Sequence, residues 1–233
     1  MSPLKLAWAQ TTPPKEIEYA YPDQSVWTTK LDAKGEPANP LLNLADVLFA
    51  KAGIPWRAKS YPAARLFGYL KNGTVEFSIL VKAPALQDCC LFSQKPVVST
   101  ELRVFHQDGK PAIRSREDLA GKSVITILGY SYAGWLDFIA DPKNGVAHET
   151  AATHDAAFAM LEHGRADYVL DYAGPAAEVQ AARKTKFRHA ALSRLDVHLV
   201  LVKSYPGALA TMQRLEAALE GLNIDDILQL PKS

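Results

Sequence analysis

A serine at a bend, two adjacent cysteines and three histidines offer the most direct chemistry in this chain. Ser131 lies in "VITILGYSYAG", which reads as strand, sharp turn and helix, the arrangement that exposes a nucleophilic serine in one class of hydrolases. Asp171 and His198 follow in the order Ser–Asp–His that such a triad uses. The pattern departs from that elbow at Ala133, where glycine is required, and no glycine-rich oxyanion loop accompanies it. A simpler chemistry suits the serine better. Free N–H groups at a helix N-terminus, beside a hydroxyl, hold an anion such as a carboxylate. The same serine also serves as a plain N-cap, and the two uses coexist.

Cys89 and Cys90 are the chain's two cysteines. Adjacent cysteines fit neither the C-x-x-C redox spacing nor a zinc spacing, and a disulfide between them closes a strained ring. The reading is two separate thiols, one packed inward, with no chemical role; a vicinal disulfide is the alternative. His148, His154 and His163 could meet in space, but there is no H-E-x-x-H, and surface or capping roles are preferred to a metal site. Gly129 and Gly134 have phosphate-loop spacing, but Trp135 stands where a lysine is needed, and no G-x-G-x-x-G occurs. No metal or cofactor is expected.

The elements that must position these groups alternate along the chain. "EIEYAYP" reads as a strand, and "NPLLNLADVLFAKAG" as a helix capped by Asn39, with Leu41, Leu44, Ala45 and Leu48 on one face and Gly53 beyond its end. Pro62 opens a second helix whose stripe is Ala63, Leu66, Phe67 and Leu70, closed by Gly73 and followed by the apolar strand "TVEFSILV". After a strand in "STELRVFHQ", Ser115 and Asp118 form a capping-box pattern before the buried strand "KSVITIL". The second half continues with "GYSYAGWLDFIA" (a helix entered straight from the strand), "VAHET" (strand), "HDAAFAMLEHG" (helix), "ADYVLDY" (strand) and "GPAAEVQAARK" (helix). The strand "VHLVLVK" and a last helix with Met212, Leu215, Leu219 and Leu222 on one face complete it. This order predicts an α/β fold with largely parallel sheets.

Composition narrows the partners. Lysine and arginine (26) balance aspartate and glutamate (25), so the net charge of +1 gives no electrostatic ground for nucleic acid or an anionic membrane. No apolar run approaches the roughly 20 residues of a membrane span, and no membrane insertion is expected. At the N-terminus, Ala7-Trp8-Ala9 followed by Gln10 has the small-x-small form of a signal cleavage site. The tail 1–14 reads as the remnant of a trimmed export signal, with a first strand plus linker as the alternative.

Four segments in order carry a resemblance. "LKNGTVEFSILV" is similar to a family's helix, G-x-V-D-A and strand; "LFSQKPV" to its F-S-x-P-Y. "SREDLAGKSVITILGYS" is similar to its S-L-E-D-L-K-G-K-x-V-G-V-x-x-G-S-T, and "MLEHGRADYVLDY" to its A-L-x-x-G-R-V-D-A-V-V-D-D. Over residues 15–222 the chain thus resembles the family 3 extracellular solute-binding proteins, the polar-amino-acid class of periplasmic binding proteins that serve ABC transporters. The resemblance implies a type II periplasmic-binding-protein fold: two Rossmann-like α/β lobes joined by two hinge strands, with the ligand in the cleft between them. Lobe 1 is expected over 15–98 plus 195–233 and lobe 2 over 99–194.

The resemblance also shows what is missing. The family's amino-acid binders place an arginine in the loop before F-S to grip the α-carboxylate. Here that loop is "VKAPALQDCC", and no arginine occurs between Arg65 and Arg103. The family's ammonium-binding carboxylate falls at Tyr172 or, shifted by one, Asp171. Arg65, early in the second helix, is the expected replacement anchor (its alternative is a solvated surface arginine), with Lys82 as a weaker point charge. Tyr21, Trp27, Tyr61, Tyr130 and Tyr132 fall on loops that such a fold turns toward a ligand, or else are core packing. Cys89 and Cys90 are expected near the cleft rim.

The expectation is therefore a monomeric, periplasmic solute-binding protein that captures a small organic solute carrying one anionic group and performs no chemistry. The anchors are Arg65 and the Ser131 turn, with a polar contact from Asp171 or Tyr172, and the partner is an ABC permease or a membrane sensor. An enzyme on the same scaffold, similar to cyclohexadienyl dehydratase and using Asp171 and Glu149 as acids, is the first alternative. The Ser131 hydrolase is the second.

Overall fold

The computed structural model describes residues 15–23, 25–33, 35 and 38–228; the expected signal remnant at 1–14 lies outside them. The chain runs β1 (Ile17–Pro22), α1 (Leu41–Ala52), β2 (Trp56–Tyr61), α2 (Ala63–Asn72), β3 (Phe77–Val81), β4 (Cys90–Phe92) and β5 (Val98–His106). It continues with β6 (Ser123–Ile127), α3 (Trp135–Ala140), β7 (Ala147–Ala151), α4 (His154–Glu162), β8 (Tyr168–Tyr172), α5 (Ala173–Arg183) and β9 (Arg188–Val202). Helices α6 (Ala208–Leu219) and α7 (Ile224–Leu228) close it.

Two hydrophobic cores form. One gathers side chains from Ile17 to Val97 and from Val197 to Leu228. The other gathers side chains from Leu102 to Val179, with Leu195. Each core is a sheet covered by helices, the two-lobed α/β arrangement of type II periplasmic binding proteins. The hydrogen-bonded strand order is β2-β1-β3-β9-β5-β8-β6-β7, with β4 also on β9. The path is continuous because the 15-residue β9 serves both lobes: Val197 to Val202 pair with β3 or β4, and Arg188 to Val197 pair with β5. Strands β5 and β9 are the two crossing connections, and a register shift interrupts them between Leu102 and Arg103.

The sheets are more mixed than the sequence predicts. Strands β1, β2 and β3 run parallel, as do β6, β7 and β8, but every pairing of β9 is antiparallel, and so is that of β5 with β8. A chain that crosses between lobes and returns must run its crossing strands against their neighbours.

Local signals act as expected in the first helices. Asn39 caps α1, accepting from Leu41 N at 3.0 Å while its amide donates to the Tyr19 hydroxyl at 3.0 Å. Gly53 and Gly73 end α1 and α2 in the left-handed region (φ +61° and +73°), which costs glycine nothing. Asp118 accepts from Ser115 N at 2.9 Å, closing the predicted capping box over one 3₁₀ turn.

The turn after β6 differs from the expectation. The strand does not pass straight into a helix: Tyr132 (φ +50°), Ala133 (+54°) and Gly134 (+91°) are all left-handed, and α3 begins at Trp135. The Tyr132 hydroxyl accepts from Ile127 N at 2.6 Å, and that buried bond together with the ring's burial compensates a conformation costing roughly 1–2 kcal/mol per non-glycine residue. The bend turns Tyr132 back into the core.

Candidate functional site

A cavity of about 70 Å³ lies between the lobes, space for on the order of five waters at ~10–15 Å³ each. It opens where the parallel strands end: Pro22 closes β1, Ile79 to Val81 close β3, and Tyr172 closes β8. Carboxyl ends of parallel strands are where α/β folds place ligands, because the loops there are free to vary. Lobe 1 contributes the loop Ser25 to Trp27, Leu66 and Phe67 of α2, and Lys82. Lobe 2 contributes Tyr130, Ser131, Ala133 and Tyr172, and Val197 of the crossing strand completes the wall.

Of the predicted ligand residues, the structure brings Trp27, Lys82, Tyr130, Ser131 and Tyr172 together around this cavity. Tyr130 and Tyr172 meet edge to face, with ring centroids 5.7 Å apart. Burial, then the charge of Asp171, raises the Tyr172 phenol well above its ordinary value, so it faces the cavity as a neutral hydroxyl. Lys82 is exposed, with its ammonium 5.8 Å from the centre of the Phe92 ring. Among the described residues that line the cavity it is the one charged side chain.

Five predicted residues lie elsewhere, each for a physical reason. Asp171 is fully buried; its two oxygens are 2.9 Å from His154 Nδ1, and Oδ1 also accepts from Tyr172 N at 2.7 Å. Tyr132 is fully buried and stacked on Tyr172 at 5.7 Å. Tyr21 is buried in the lobe 1 core beside Tyr19. Tyr61 donates to Glu18 at 2.6 Å, where Arg57 also donates from Nη2 at 2.7 Å; burial, then the Glu18 contact, pushes the Tyr61 phenol up to about 12. Arg65 is exposed on α2 and does not line the cavity. It sits at the position the sequence reading gave to a solvated arginine.

The chemical alternatives lose their geometry. Asp171 pairs with His154 rather than with His198, whose Nδ1 faces the Ser93 carbonyl oxygen at 2.8 Å. Ser131 makes no side-chain cap bond, and α3, with six residues, starts four positions later. The expected helix-end anion site is therefore replaced by an exposed hydroxyl on the cavity wall. Glu149 is exposed on β7, and no aspartate or glutamate is among the described lining residues. His148 bonds Thr126, His154 bonds Asp171 and His163 bonds the Ala159 carbonyl oxygen. Among the described residues no group of three or more histidines, cysteines, aspartates or glutamates is placed to hold a metal ion.

Sequence reasoning missed the contacts that join the lobes. Glu178 of α5 accepts from Thr28 Oγ1 (2.7 and 2.8 Å), Thr29 N (2.7 Å) and Thr29 Oγ1 (2.9 Å), all on the lobe 1 loop. One turn earlier, a Cβ on Gly174 would come within 2.4 Å of the Trp27 carbonyl oxygen. On the other side, a Cβ on Gly129 would meet the Ala63 methyl at 3.3 Å. The lobes are thus shut against each other at two seams flanking the cavity. "TT" and "GPAAE" carry no pattern that announces a partner more than a hundred residues away.

Comparison with solved structures shows the same fold. An ancestral arginine-binding protein bound to arginine superposes with a TM-score of 0.71 at 18% identity, over 92% of this chain and 95% of that one. AncCDT-1, an ancestral amino-acid-binding protein and precursor of cyclohexadienyl dehydratase, matches at 0.69 and 18%, over 92% of each chain. The GluR0 ligand-binding core in complex with L-glutamate matches at 0.69 and 13%, over 95% of this chain and 98% of that one. No family model matches the sequence, and no curated protein does.

Proposed function

We propose that this two-lobed chain is a periplasmic solute-binding protein whose job is capture. The solute is a small organic molecule with a flat or branched apolar body and one anionic group. Lys82 supplies the countercharge at the mouth, Trp27, Tyr130 and Tyr172 enclose the body, and Ser131 adds a hydroxyl. One observation carries this reading: both lobes line a cavity whose described lining is mainly aromatic and aliphatic, with Ser25, Asn39 and Ser131 as neutral polar groups and Lys82 as its one charged side chain. A cavity between lobes lets hinge closure strip water from a ligand, and the ligand's contacts with both halves drive the closure. A free amino acid fits poorly, since its ammonium group has no carboxylate among the lining residues. The partner is an ABC permease or a membrane sensor that reads the closed form. Among the described residues no helix is long and apolar enough to cross a membrane.

Thermal melting against a panel of amino acids, amines and aromatic or branched monocarboxylates tests this. A monocarboxylate at a hundred times its Kd stabilises the protein by about 2.7 kcal/mol. That shift disappears in Lys82→Ala, while arginine and glutamine give none. A robust shift with arginine that survives Lys82→Ala refutes the reading, and turnover of prephenate or arogenate would move the protein among enzymes.

A further inference from the structure

The sulfurs of Cys89 and Cys90 stand 3.3 Å apart, and both cysteines are free. Adjacent side chains in a regular strand point to opposite faces. Here Cys90 opens β4 while Cys89 belongs to the preceding turn, and the change of backbone conformation between them brings the sulfurs together. The turn is held from behind by one residue. Lys203 N donates to the Cys89 carbonyl oxygen at 2.8 Å, and Lys203 Nζ donates to the Gln87 and Asp88 carbonyls at 3.0 and 2.9 Å. Cys90 pairs with Val202 in the sheet. Cys90 lies at the end of β4 away from Phe92, the ring under the cavity's Lys82, and its partner Val202 is five residues along β9 from Val197, roughly 16 Å at 3.3 Å per residue. Neither cysteine is among the described residues that line the cavity.

We propose that Cys89 and Cys90 form a preorganised dithiol that chelates a trivalent thiophilic centre, with arsenic(III) as the type. The separation favours one central atom shared by both sulfurs. Two bonds of about 2.3 Å meeting at about 90° span about 3.3 Å, whereas a tetrahedral zinc site sets its sulfurs about 3.8 Å apart. A disulfide needs the sulfurs at about 2.05 Å, and neighbouring Cα atoms about 3.8 Å apart fall short of the usual disulfide range. Burial, then the contact with Cys89, pushes the Cys90 thiol up to about 12. Cys90 thus stays a thiol at neutral pH, and its own attack on a disulfide partner is slow.

The reaction needs no oxidant. An organoarsenous acid carries two hydroxyl groups on arsenic; each is exchanged for one sulfur. Two As–O bonds break and two As–S bonds form. The two thiol protons leave with the hydroxyls as two waters, and arsenic stays trivalent. Cys90 is 2% exposed and Cys89 is half-buried, so the reagent enters from the Cys89 side and its remaining substituent points outward.

Phenylarsine oxide is the probe. The reduced full-length protein is expected to gain one phenylarsenic group per chain by intact mass, and Cys89→Ala and Cys90→Ala each to lose at least nine-tenths of that adduct. Dimercaptopropanol releases the group, while mercaptoethanol at equal thiol concentration does not. Cys89 is the less buried of the two, so Cys89→Ala with an unchanged melting curve keeps the test free of folding defects. Reduced wild-type protein that stays unmodified overturns the proposal. So does a Cys89→Ala protein that takes up the reagent equally, or an adduct that mercaptoethanol removes.

Discussion

The Glu178 carboxylate lies 2.7 Å from the backbone nitrogen of Thr29, and that hydrogen bond ties α5 of one lobe to a loop of the other. The hydroxyls of Thr28 and Thr29 converge on the same group, with Lys30 at 3.8 Å. Hydrogen bonds to a charged acceptor contribute about 1.5–3 kcal/mol. Glu178→Ala is therefore expected to weaken closure by roughly 2 kcal/mol, which lowers solute affinity about 30-fold at 1.4 kcal/mol per decade. Calorimetric titration reads the affinity, and small-angle scattering reads the larger radius of the opened form. Unchanged values in both would remove the latch from the account.

Gly174 gives a cleaner block. It sits in the first turn of α5, where alanine is the better helix former by roughly 1 kcal/mol. Its Cβ, however, would lie 2.4 Å from the Trp27 carbonyl oxygen, a contact that only separation of the lobes relieves. Gly174→Ala is expected to fold and melt at least as well as wild type while losing solute binding by a hundredfold or more. Binding at wild-type affinity would show that the loop yields instead.

Closure also carries a pH signature. Burial alone would raise the Glu178 carboxyl, but the Thr29 N–H, then the two hydroxyls, outweigh it and hold the group below its ordinary value. Because the closed form lowers this value, its stabilisation is complete above the ordinary glutamate value, about 4.3, and is lost as pH falls through the lower closed-form value. Affinity is expected to hold steady from neutral pH down to about 5 and to drop below about 4. Glu178→Gln should flatten that drop. An equal drop in the variant would assign it to another carboxylate, Glu18 first, whose value is also depressed.

His154 and Asp171 form the buried support behind Tyr130 and Tyr172. His154→Ala leaves Asp171 buried, with Tyr172 N as the donor that remains among the bonds above. Stranding a buried partner in this way costs about 3 kcal/mol. Urea denaturation should show that loss, and a variant as stable as wild type would remove the His154 contact from the account of this core.

The fold was legible where side chains announce their surroundings. The stripes of α1 and α2, with Gly53 and Gly73 behind them, predict those helices because apolar period and chain reversal coincide. Strand β2 escaped notice because "WRAKSY" is an edge strand whose middle residues are exposed, so no alternation marks it. The outer half of β9 escaped for the same reason: "RHAALSRLD" is held by backbone pairing to β5 rather than by burial. Trp27, Lys82, Tyr130, Ser131 and Tyr172, expected on loops and strand ends that face a cleft, do line the cavity. Asp171 could not, because a carboxylate next to a cavity looks the same in sequence whether it faces a ligand or a histidine.

Val98 and Val197 face each other across β5 and β9, where the path leaves one core and returns to it. The second lobe is thus suspended from the first by a doorway two strands wide, like an appendix sewn between consecutive pages. A few degrees of twist at that doorway sweep the far rim through several ångströms, whereas residues beside it scarcely shift. If solute capture closes the lobes as proposed, Val197, which lines the cavity at this spot, is the still point around which they turn.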